Sequence, residues 1–516
     1  MLVTVAVAVT AVSGAAYQAT SKWAYLDRNQ RLHYATDARG NRIMDFSHAG
    51  YKGGGVTLPL VNVVTTLAPE AGDNVARIQA ALDEIARRLP DSSGIRGALL
   101  LRKGRFEVSA PLKISASGVV LRGSGSGSDG AVLVVTGAPH RCLEIAGTGS
   151  WQRDGTRARI IDGYVPSGAS TLSIDNPSGF RAGDSILVDR TVTDDWIRFM
   201  GMDRLARDGK PQVWIAPGTL ITTDRRIASI AGNRLTLDVP LSDAIDSAYT
   251  KPAGASIEKY TFPGRIENVG VESLRVQVPA RDVPISDAQY TFLRMSAVSD
   301  AWVRDLVIED TQNTITLGST ARRVTLDNVH IRHSVPFTGA ASPADVAISG
   351  TQILVHRSSV SGRGVWPIVT QAGVTGPNAV VSFTADQAGV APHQRWATGL
   401  LVDNSVFRNG TERRPNIAFS NREYAGSGHG WSVGWAVAWN VSADYVLLQQ
   451  PPGAKNWCIG CTGRPPTILW HGNPIAVPEI PSETFESPGV RVTPTSLYMQ
   501  QLRDRLGAAA VRRIME

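Results

Sequence analysis

The pattern of apolar and polar positions changes from helical to β near residue 95. Four apolar residues recur at helical spacing and predict a short amphipathic helix: Ile78, Leu82, Ile85 and Leu89. Pro90 and Gly94 then end the helix. The next stretch, 97–125, has short apolar segments separated by Gly, Pro and Ser, which predicts a series of strands.

A longer β pattern repeats between residues 264 and about 410. Its units read Val271-x-x-Leu274-x-Val276, Val303-x-x-Leu306-x-Ile308, Leu326-x-x-Val329-x-Ile331 and, loosely, Leu401-Val402-x-x-x-Val406-Phe407. The units lie about 23 to 32 residues apart, a period typical of one solenoid coil with variable loops. A single coil cannot bury its apolar face alone, so the repeat predicts stacked coils around one aliphatic core.

The segment 71–125 resembles the first part of the pectate-lyase-like superfamily. The matching residues are Asp73, Asn74, Ile78, Gln79 and Ala81, then Gly104 to Val108, then Gly118 to Gly125. The resemblance implies an all-β fold: a right-handed parallel β-helix, or pectate-lyase-like solenoid, with an N-terminal cap helix and long C-terminal loops. In that superfamily the scaffold most often presents a long groove for polysaccharide.

Later blocks look like those of uncharacterised bacterial β-helix proteins linked to polysaccharide degradation. They are Pro392 to Gly399, Gly428 to Trp431, Trp435 to Asn440, and Pro451 to Gly453 with Asn456-Trp457. Asp45 to Gly55 resembles the leading segment of exported members, which would pack across the N-terminal end of the coils.

The chain divides into four segments. Residues 1–19 form a charge-free apolar run ending in small residues, which favours an export signal, and with it a secreted or periplasmic protein, over an apolar first strand. Residues 20–70 form the leading segment, and 71–490 the β-helix, with an insertion at about 190–260 and long loops around 366–470. Residues 491–516 predict a C-terminal helix with one apolar side: Leu497, Leu502, Leu506 and Val511.

The composition narrows the range of possible binding partners. The 516 residues include 50 glycines and 29 prolines, which suits many short strands and turns. A net charge of +7 favours an enzyme drawn to anionic polymers, although such a charge also simply aids solubility. No compact Lys/Arg module indicates nucleic acid binding, and no other apolar run is long enough to span a membrane. The oligomeric state stays open.

The sequence does not specify a metal site. Cys458 and Cys461 have the spacing of zinc ligands but lack a second pair, so a local disulfide or two packed thiols are expected. Calcium is a weak alternative through Asp184, Asp189, Asp194 and Asp195, whose spacing matches no calcium loop. His330 and His333 would diverge on a strand. No cofactor is expected.

Aromatic residues concentrate late in the chain, because seven of the twelve tryptophans lie between Trp366 and Trp470. Tryptophan faces stack well on sugar rings, which predicts an exposed substrate platform. Its members, with one arginine, would be Trp396, Trp431, Trp435, Trp439 and Arg422. The alternative is that these tryptophans pack a C-terminal cap.

The leading functional hypothesis is a polysaccharide lyase acting on a uronate-containing polymer by β-elimination. That reaction needs a cation for the carboxylate and a base for the C5 proton. His393 and Arg395 fit these roles if they share one strand face at i and i+2. His429, His333 and Arg422 are further candidates. The alternatives are a loop-holding His393 and an Arg395 paired with Asp403.

A glycoside hydrolase on the same scaffold is the second hypothesis. It needs two carboxylates roughly 5 to 10 Å apart. Glu309 and Asp310 are adjacent and would face opposite ways on a strand, whereas Asp310 and Asp345 from neighbouring coils would converge. Asp403, and Glu423 near His429, are other candidates. A third hypothesis is a non-catalytic glycan-binding β-helix protein.

Overall fold

The computed structural model describes residues 19–339, 341–475 and 484–515 and consists mainly of β-strands. The export signal predicted over 1–19 therefore lies almost wholly outside the described residues. The largest sheet contains 22 strands, and their pairings are parallel. They are Val63–Leu67, Gly97–Leu101, Gly104–Val108, Val119–Gly123, Ala131–Val135, Ile266–Glu272, Arg275–Gln277, Val298–Glu309, Ala321–Arg332, Leu354–His356, Ser359–Ser361, Thr375–Val381, Thr384–Asp386, Ala397–Asp403, Val406–Arg408, Ile417–Phe419, Val433–Gly434, Val437–Trp439, Ser442–Leu448, Trp457–Ile459, Thr462–Arg464 and Phe485–Glu486.

Successive coils stack in register, as expected of a parallel β-helix. One ladder of paired residues crosses ten strands and lies in the main hydrophobic core: Leu99, Leu121, Val271, Val303, Leu326, Val355, Val380, Val402, Ala438 and Cys458. The repeat units starting at Val271, Val303 and Leu326 are therefore neighbouring coils, as their spacing predicts. Cys458 is one inward position of this ladder.

A second parallel sheet forms another side of the coils. Its six strands are Leu112–Ile114, Arg141–Ala146, Thr291–Ser296, Ile315–Leu317, Ala344–Ile348 and Trp366–Thr370. Isolated bridges from Ile368 to Val390 and from Val390 to Ile417 extend the same stacking toward the C-terminal coils. Their inward residues are buried, so their outward neighbours form a surface along the stacking direction.

The insertion is larger than the sequence predicts. It begins at Gln152, because Gln152–Arg159 pairs with Ala255–Thr261 in a six-stranded antiparallel sheet. The other members are Thr171–Ser173, Ser185–Thr191, Leu220–Ala231 and Arg234–Leu237. Two short antiparallel pairings join Tyr164–Val165 to Ile245–Asp246 and Ala206–Arg207 to Lys210–Pro211, of which the second is a hairpin. Two short helices, Asp194–Phe199 and Ser247–Thr250, complete the insertion.

The cap helix spans Val75–Arg87 and packs against the first strands through Ile78, Leu82 and Ile85. Leu89, predicted for the same apolar side, is 91% exposed because the helix ends before it. The helix lies over the first coils and shields their core from water.

The leading segment and the C-terminus pack together on the side of the coils. Ala24–Leu26 pairs with Leu32–Tyr34, Ala19–Thr20 pairs with Val492–Thr493, and Tyr51–Gly53 forms a 3-10 turn. The predicted single C-terminal helix is two helices, Leu497–Leu506 and Ala508–Met515. These elements cover outward residues of the coils: Leu354, Ala379, Leu401, Val437 and Trp457.

Two expectations are corrected by this packing. The leading segment lies along the side of the stack and not across its N-terminal end, because Phe46 and Ala49 share a core with Leu401 and Tyr498. The region 366–470 contains eleven coil strands, so the predicted long loops, such as 387–396 and 420–432, alternate with strands and do not form one continuous loop region.

The cysteines are buried free thiols, including Cys458 and Cys461, so the packed-thiol alternative holds and the local disulfide does not form. Among the helices of the described residues, none has the length and apolarity needed to cross a membrane.

Candidate functional site

A large groove runs over the outward face of the C-terminal coils. It has a volume of about 1070 Å³. Ile368, Val390 and Ile417 point into the core. The residue after each of them, and Leu447 after the inward Val446, faces the groove. The floor is therefore apolar and made of small or aliphatic side chains: Val369, Ala391, Ala418 and Leu447.

The walls of this groove carry an excess of positive charge, and we call it the basic groove. Four arginines line it, Arg207, Arg413, Arg414 and Arg422, against two carboxylates, Asp208 and Glu412. Three histidines, His393, His429 and His471, lie on the same walls. Such a surface favours anionic ligands over cationic ones.

His393, His429 and Arg422 form a compact group in the basic groove. The two imidazole rings meet edge to face with centroids 4.6 Å apart. Arg422 Nη1 donates to the backbone oxygen of His393 at 2.9 Å. His393 Nδ1 lies 3.1 Å from Gln371 Oε1, which assigns the Nδ1 proton to this hydrogen bond and leaves Nε2 as the basic nitrogen.

Electrostatics keep both histidines neutral. Burial, with Arg422 and Arg395, lowers the pKa of His393 to about 4. Burial, Arg422, His393 and Arg395 lower the pKa of His429 to about 3. At neutral pH each imidazole is therefore an uncharged base or hydrogen-bonding group.

Arg422 is a largely buried cation without an acidic partner. Burial lowers the pKa of its guanidinium to about 10, so it stays protonated at neutral pH. Throughout 19–339, 341–475 and 484–515, no carboxylate forms a salt bridge with it. A desolvated charge is costly unless it is paired, so this residue is poised to receive an anion from outside the chain.

Arg395 does not share a strand wall with His393. Both Arg395 and Trp396 have positive φ angles, and the next strand begins only at Ala397. The Arg395 guanidinium instead binds the backbone oxygen and hydroxyl of Ser427 at 3.0 and 2.7 Å. Strand alternation therefore does not apply here, and Arg422 occupies the position beside His393 that was predicted for Arg395.

The predicted tryptophan platform is wrong. Trp396, Trp431, Trp435 and Trp439 are all buried. Their indole nitrogens donate to groups of the protein: Asp243 for Trp396 and Trp435, Met200 for Trp431, and Pro494 for Trp439. They pack the insertion, the leading segment and the C-terminal helices onto the coils, close to the cap-packing alternative.

Other aromatic residues line the basic groove. Trp470, 37% exposed, lies beside Tyr424 and His471, with ring centroids 5.6 and 4.8 Å away. Glu423 holds His471 through Nε2 at 3.0 Å, so this candidate carboxylate is paired and supports the aromatic group. Trp366 lines another part of the groove under the Arg414 guanidinium, 4.5 Å from the ring centre.

Asp345 and His333 form a buried pair in the core. Both side chains are fully buried, and His333 Nε2 lies 2.8 Å from Asp345 Oδ2. Thr314 donates to the other carboxylate oxygen at 2.8 Å. Burial lowers and Asp345 raises the pKa of His333, and the net shift is upward. Neither residue reaches a substrate, so the predicted pairing of Asp310 with Asp345 is wrong.

Asp310 lines a second groove, together with Glu309. Asp310 follows the strand Val298–Glu309 with φ of 63°, so the chain turns and both adjacent carboxylates face one cavity of about 470 Å³. Arg275 and Gln277 bind Glu309 at 2.6 and 2.7 Å. Ser334 donates to Asp310 from its backbone and hydroxyl. Strand alternation fails here because Asp310 lies beyond the strand.

A neighbouring cavity of about 410 Å³ shares Arg105 and Val134 with this one. The combined surface is called the acidic groove below. Four carboxylates line it against the single arginine, Arg105: Glu70, Glu107, Glu309 and Asp310.

The remaining candidates are structural. Asp403 is buried and accepts hydrogen bonds from Ser496, Leu497 and Tyr498 at the start of a C-terminal helix, and does not pair with Arg395. Three of the four aspartates considered for calcium pair with cations of the protein: Asp184 with Lys259, Asp189 with Arg153 and Asp195 with Arg198.

His330 contacts Ser359 and Asn328, while His333 contacts Asp345, so the two histidines diverge. Across the described part of the chain, no three His, Cys, Asp or Glu side chains are grouped to hold a metal ion.

Sequence reasoning missed Arg207, Arg413, Arg414 and Trp470. The run Glu412-Arg413-Arg414 and the pair Trp470-His471 were visible signals of a polar, aromatic surface. Arg207 gave no such signal, because it reaches the groove from a hairpin of the insertion.

No protein-family model matches the chain, and no curated protein matches it. Solved structures with a detectable likeness include the tailspike protein gp49 of Pseudomonas phage LKA1, at 11% identity over 77% of this chain and 73% of that chain, with a TM-score of 0.29. An alginate lyase from a Paenibacillus species is 10% identical over 80% of this chain and 97% of its own, with a TM-score of 0.36. The catalytic unit of an alpha-1,3-glucanase from Streptomyces thermodiastaticus is 10% identical over 80% and 58%, with a TM-score of 0.34. At these identities and TM-scores, the likenesses assign neither a family nor an activity to the chain.

Proposed function

We propose that this protein is an exported polysaccharide lyase that cleaves an acidic, uronate-containing polysaccharide by β-elimination in the basic groove. The observation that carries the proposal is Arg422, a largely buried cation without an acidic partner among the described residues, next to two neutral histidines. This arrangement supplies a binding site for a carboxylate and a base at the same place.

The reaction assigns a role to each member of the group. Arg422 neutralises the uronate carboxylate, which makes the proton on the adjacent C5 more acidic and stabilises the charge that develops on its removal. His393 takes that proton on Nε2, while Gln371 holds Nδ1–H. The electron pair forms the C4–C5 double bond and expels the C4 oxygen, which takes a proton from water.

The surrounding groove fits a long acidic chain. The apolar floor offers no competing charge, and Arg413 lies exposed on the wall. The group of Trp470, Tyr424 and His471 provides a stacking surface for a sugar bound in the same groove.

The test is a screen of purified protein against acidic and neutral polysaccharides, following ultraviolet absorbance and reducing ends together. A lyase makes an unsaturated uronate that absorbs, so both signals rise on an acidic substrate. Reducing ends without absorbance contradict β-elimination. Binding without either signal supports the non-catalytic glycan-binding alternative.

A glycoside hydrolase acting in the acidic groove is the second candidate. The specific observation in its favour is that Glu309 and Asp310 line the same cavity. Arg275 holds Glu309 in a salt bridge of 2.6 Å, and Asp310 provides the second carboxylate that hydrolysis needs. In the screen this enzyme releases reducing ends alone, and Glu309→Gln or Asp310→Asn removes them.

A further inference from the structure

The insertion is hydrogen-bonded to the loop 421–431, which lines part of the basic groove. Trp214 Nε1 donates to the backbone oxygen of Trp431 at 3.2 Å, and Trp431 Nε1 donates to that of Met200 at 3.0 Å. These reciprocal bonds lie in a buried aromatic cluster with Trp196 and Trp396. The insertion therefore takes part in the architecture of the groove.

Two glycines show how closely the insertion approaches this loop. A Cβ atom on Gly430 would lie 2.3 Å from Trp214 Cδ1, and one on Gly428 would lie 3.1 Å from Gln212 Cβ. Both residues have positive φ. A side chain at Gly430 would push the insertion away from the loop.

The hairpin of Ala206–Arg207 and Lys210–Pro211 brings a cation to the groove. Arg207 Nη1 donates to the backbone oxygen of Gly426 at 3.0 Å, and the side chain is 52% exposed. Gly426 in turn lies directly beside His429, since a Cβ there would be 2.2 Å from His429 Nε2. Arg207 is thus fixed at one end near the histidines and keeps free donors toward the groove.

Asp208 does not cancel this charge. It lies 3.7 Å from Arg207, but its side chain is 88% exposed, and exposed pairs at such distances are weak in water. A multivalent anion in the groove would compete with Asp208 for Arg207, because both residues line the cavity. Three more arginines line the same cavity and would bind the anion as well.

We propose that Arg207 is a specificity-determining residue that binds a second carboxylate of the same polysaccharide, on a different sugar from the one held by Arg422. The inference rests on the proposed function for the identity of the substrate. The insertion is then a recognition element that favours chains with repeated acidic sugars over chains with a single one.

Arg204 provides a matched control. It belongs to the same segment of the insertion and carries the same charge, but its side chain is 92% exposed and it pairs with Asp203 outside the basic groove. Arg204→Ala and Arg207→Ala therefore change the net charge equally and differ in whether a groove residue is lost.

The experiment measures binding of the full chain to polygalacturonate and to dextran sulfate at several salt concentrations, with uncharged dextran as the blank. We expect Arg207→Ala to weaken binding to polygalacturonate about fivefold more than Arg204→Ala. Equal effects of the two substitutions, or wild-type binding to neither polyanion, would overturn the proposal. A selective effect on dextran sulfate alone would overturn the assignment to a carboxylate.

Arg207→Gln separates recognition from loop support. Glutamine removes the charge and is too short to reach Gly426, so the salt dependence of binding makes the distinction. A lost ionic contact makes binding less dependent on salt, and weaker binding with an unchanged salt dependence would overturn the proposal. The binding readout does not need turnover. A protein that binds through Arg207 but cleaves nothing would defeat the lyase function while leaving this inference intact.

Discussion

The basic and acidic grooves lie on the same stack of coils and differ in the charge of their outward residues. Four arginines against two carboxylates line the first, and four carboxylates against one arginine line the second. Asp310 and Asn313, three positions apart in the chain, belong one to each groove.

The core beneath both grooves is one continuous hydrophobic cluster, so the coils supply only the shape. The outward side chains and the loops therefore determine the chemistry of each groove. The two grooves suit different reactions.

Removal of the proposed base, His393, should distinguish the roles of the two grooves most strongly. We expect His393→Ala to lower kcat on an acidic polysaccharide about 10²- to 10⁴-fold, because proton abstraction loses its acceptor. Steady-state kinetics by ultraviolet absorbance measures this. Glu309→Gln and Asp310→Asn are the controls in the other groove and should leave the rate unchanged. The opposite result would move the chemistry to the acidic groove.

Removing the unpaired cation is the next largest effect. Arg422→Ala should lower kcat about 10²- to 10³-fold, since the developing negative charge loses its stabilising partner. Arg395→Ala is the matched control, because Arg395 also lies near His393 but binds Ser427. Comparable losses in both variants would show that net positive charge, and not the position of Arg422, matters.

The comparison also shows what the sequence could predict. The inward positions obey a simple period, so the coils, the ladder from Val271 to Leu326 and the cap helix follow from apolar spacing. Local rules also predicted His393, His429 and Arg422 as candidates, and the structure brings these three together.

The errors come from positions where tertiary packing or turns override the period. Trp439 is an outward residue and would be exposed on a bare coil, but the C-terminal helices cover it. Arg395 and Asp310 have positive φ, which breaks strand alternation at just the residues whose direction mattered. Arg207 reaches the basic groove through an insertion whose packing no local pattern encodes.

Substitution of Asp345 tests whether this carboxylate has a catalytic role in a groove or a structural role in the core. Asp345→Ala leaves His333 and Thr314 without their buried partner and should lower the free energy of unfolding by about 3 kcal/mol. Urea denaturation followed by circular dichroism measures this. Asp310→Asn should cost much less, because Asp310 is partly exposed. A catalytic loss in Asp345→Ala without any loss of stability would return it to the list of reacting residues.

Trp470 offers a smaller and more local effect. Trp470→Ala should raise KM for a long acidic polysaccharide about 5- to 10-fold with little change in kcat, because one sugar-stacking face is lost. Trp439→Ala should instead lower stability, because that indole is fully buried. Matching effects of the two substitutions on KM would contradict the separation between groove aromatics and packing aromatics.

The pH dependence is the smallest expected effect and the most specific to the basic groove. A histidine base with an ordinary pKa near 6.5 would lose about tenfold in rate between pH 7.5 and 5.5. Burial and the neighbouring arginines lower the pKa of His393 to about 4, so the rate should stay nearly constant over that range. A lowered folded pKa also contributes stability that is present above pH 6.5 and is lost as pH falls toward 4, so circular dichroism must accompany the kinetics.

Histidine titration by NMR in Arg422→Ala identifies the cause of this shift. Removing the cation should move the pKa of His393 upward toward 6.5, by more than Arg395→Ala does, because Arg422 acts more strongly than Arg395. A rate that falls near pH 6.5 in the wild type would show that the base is not His393 in this environment. The charge contrast between the grooves would then not govern the chemistry.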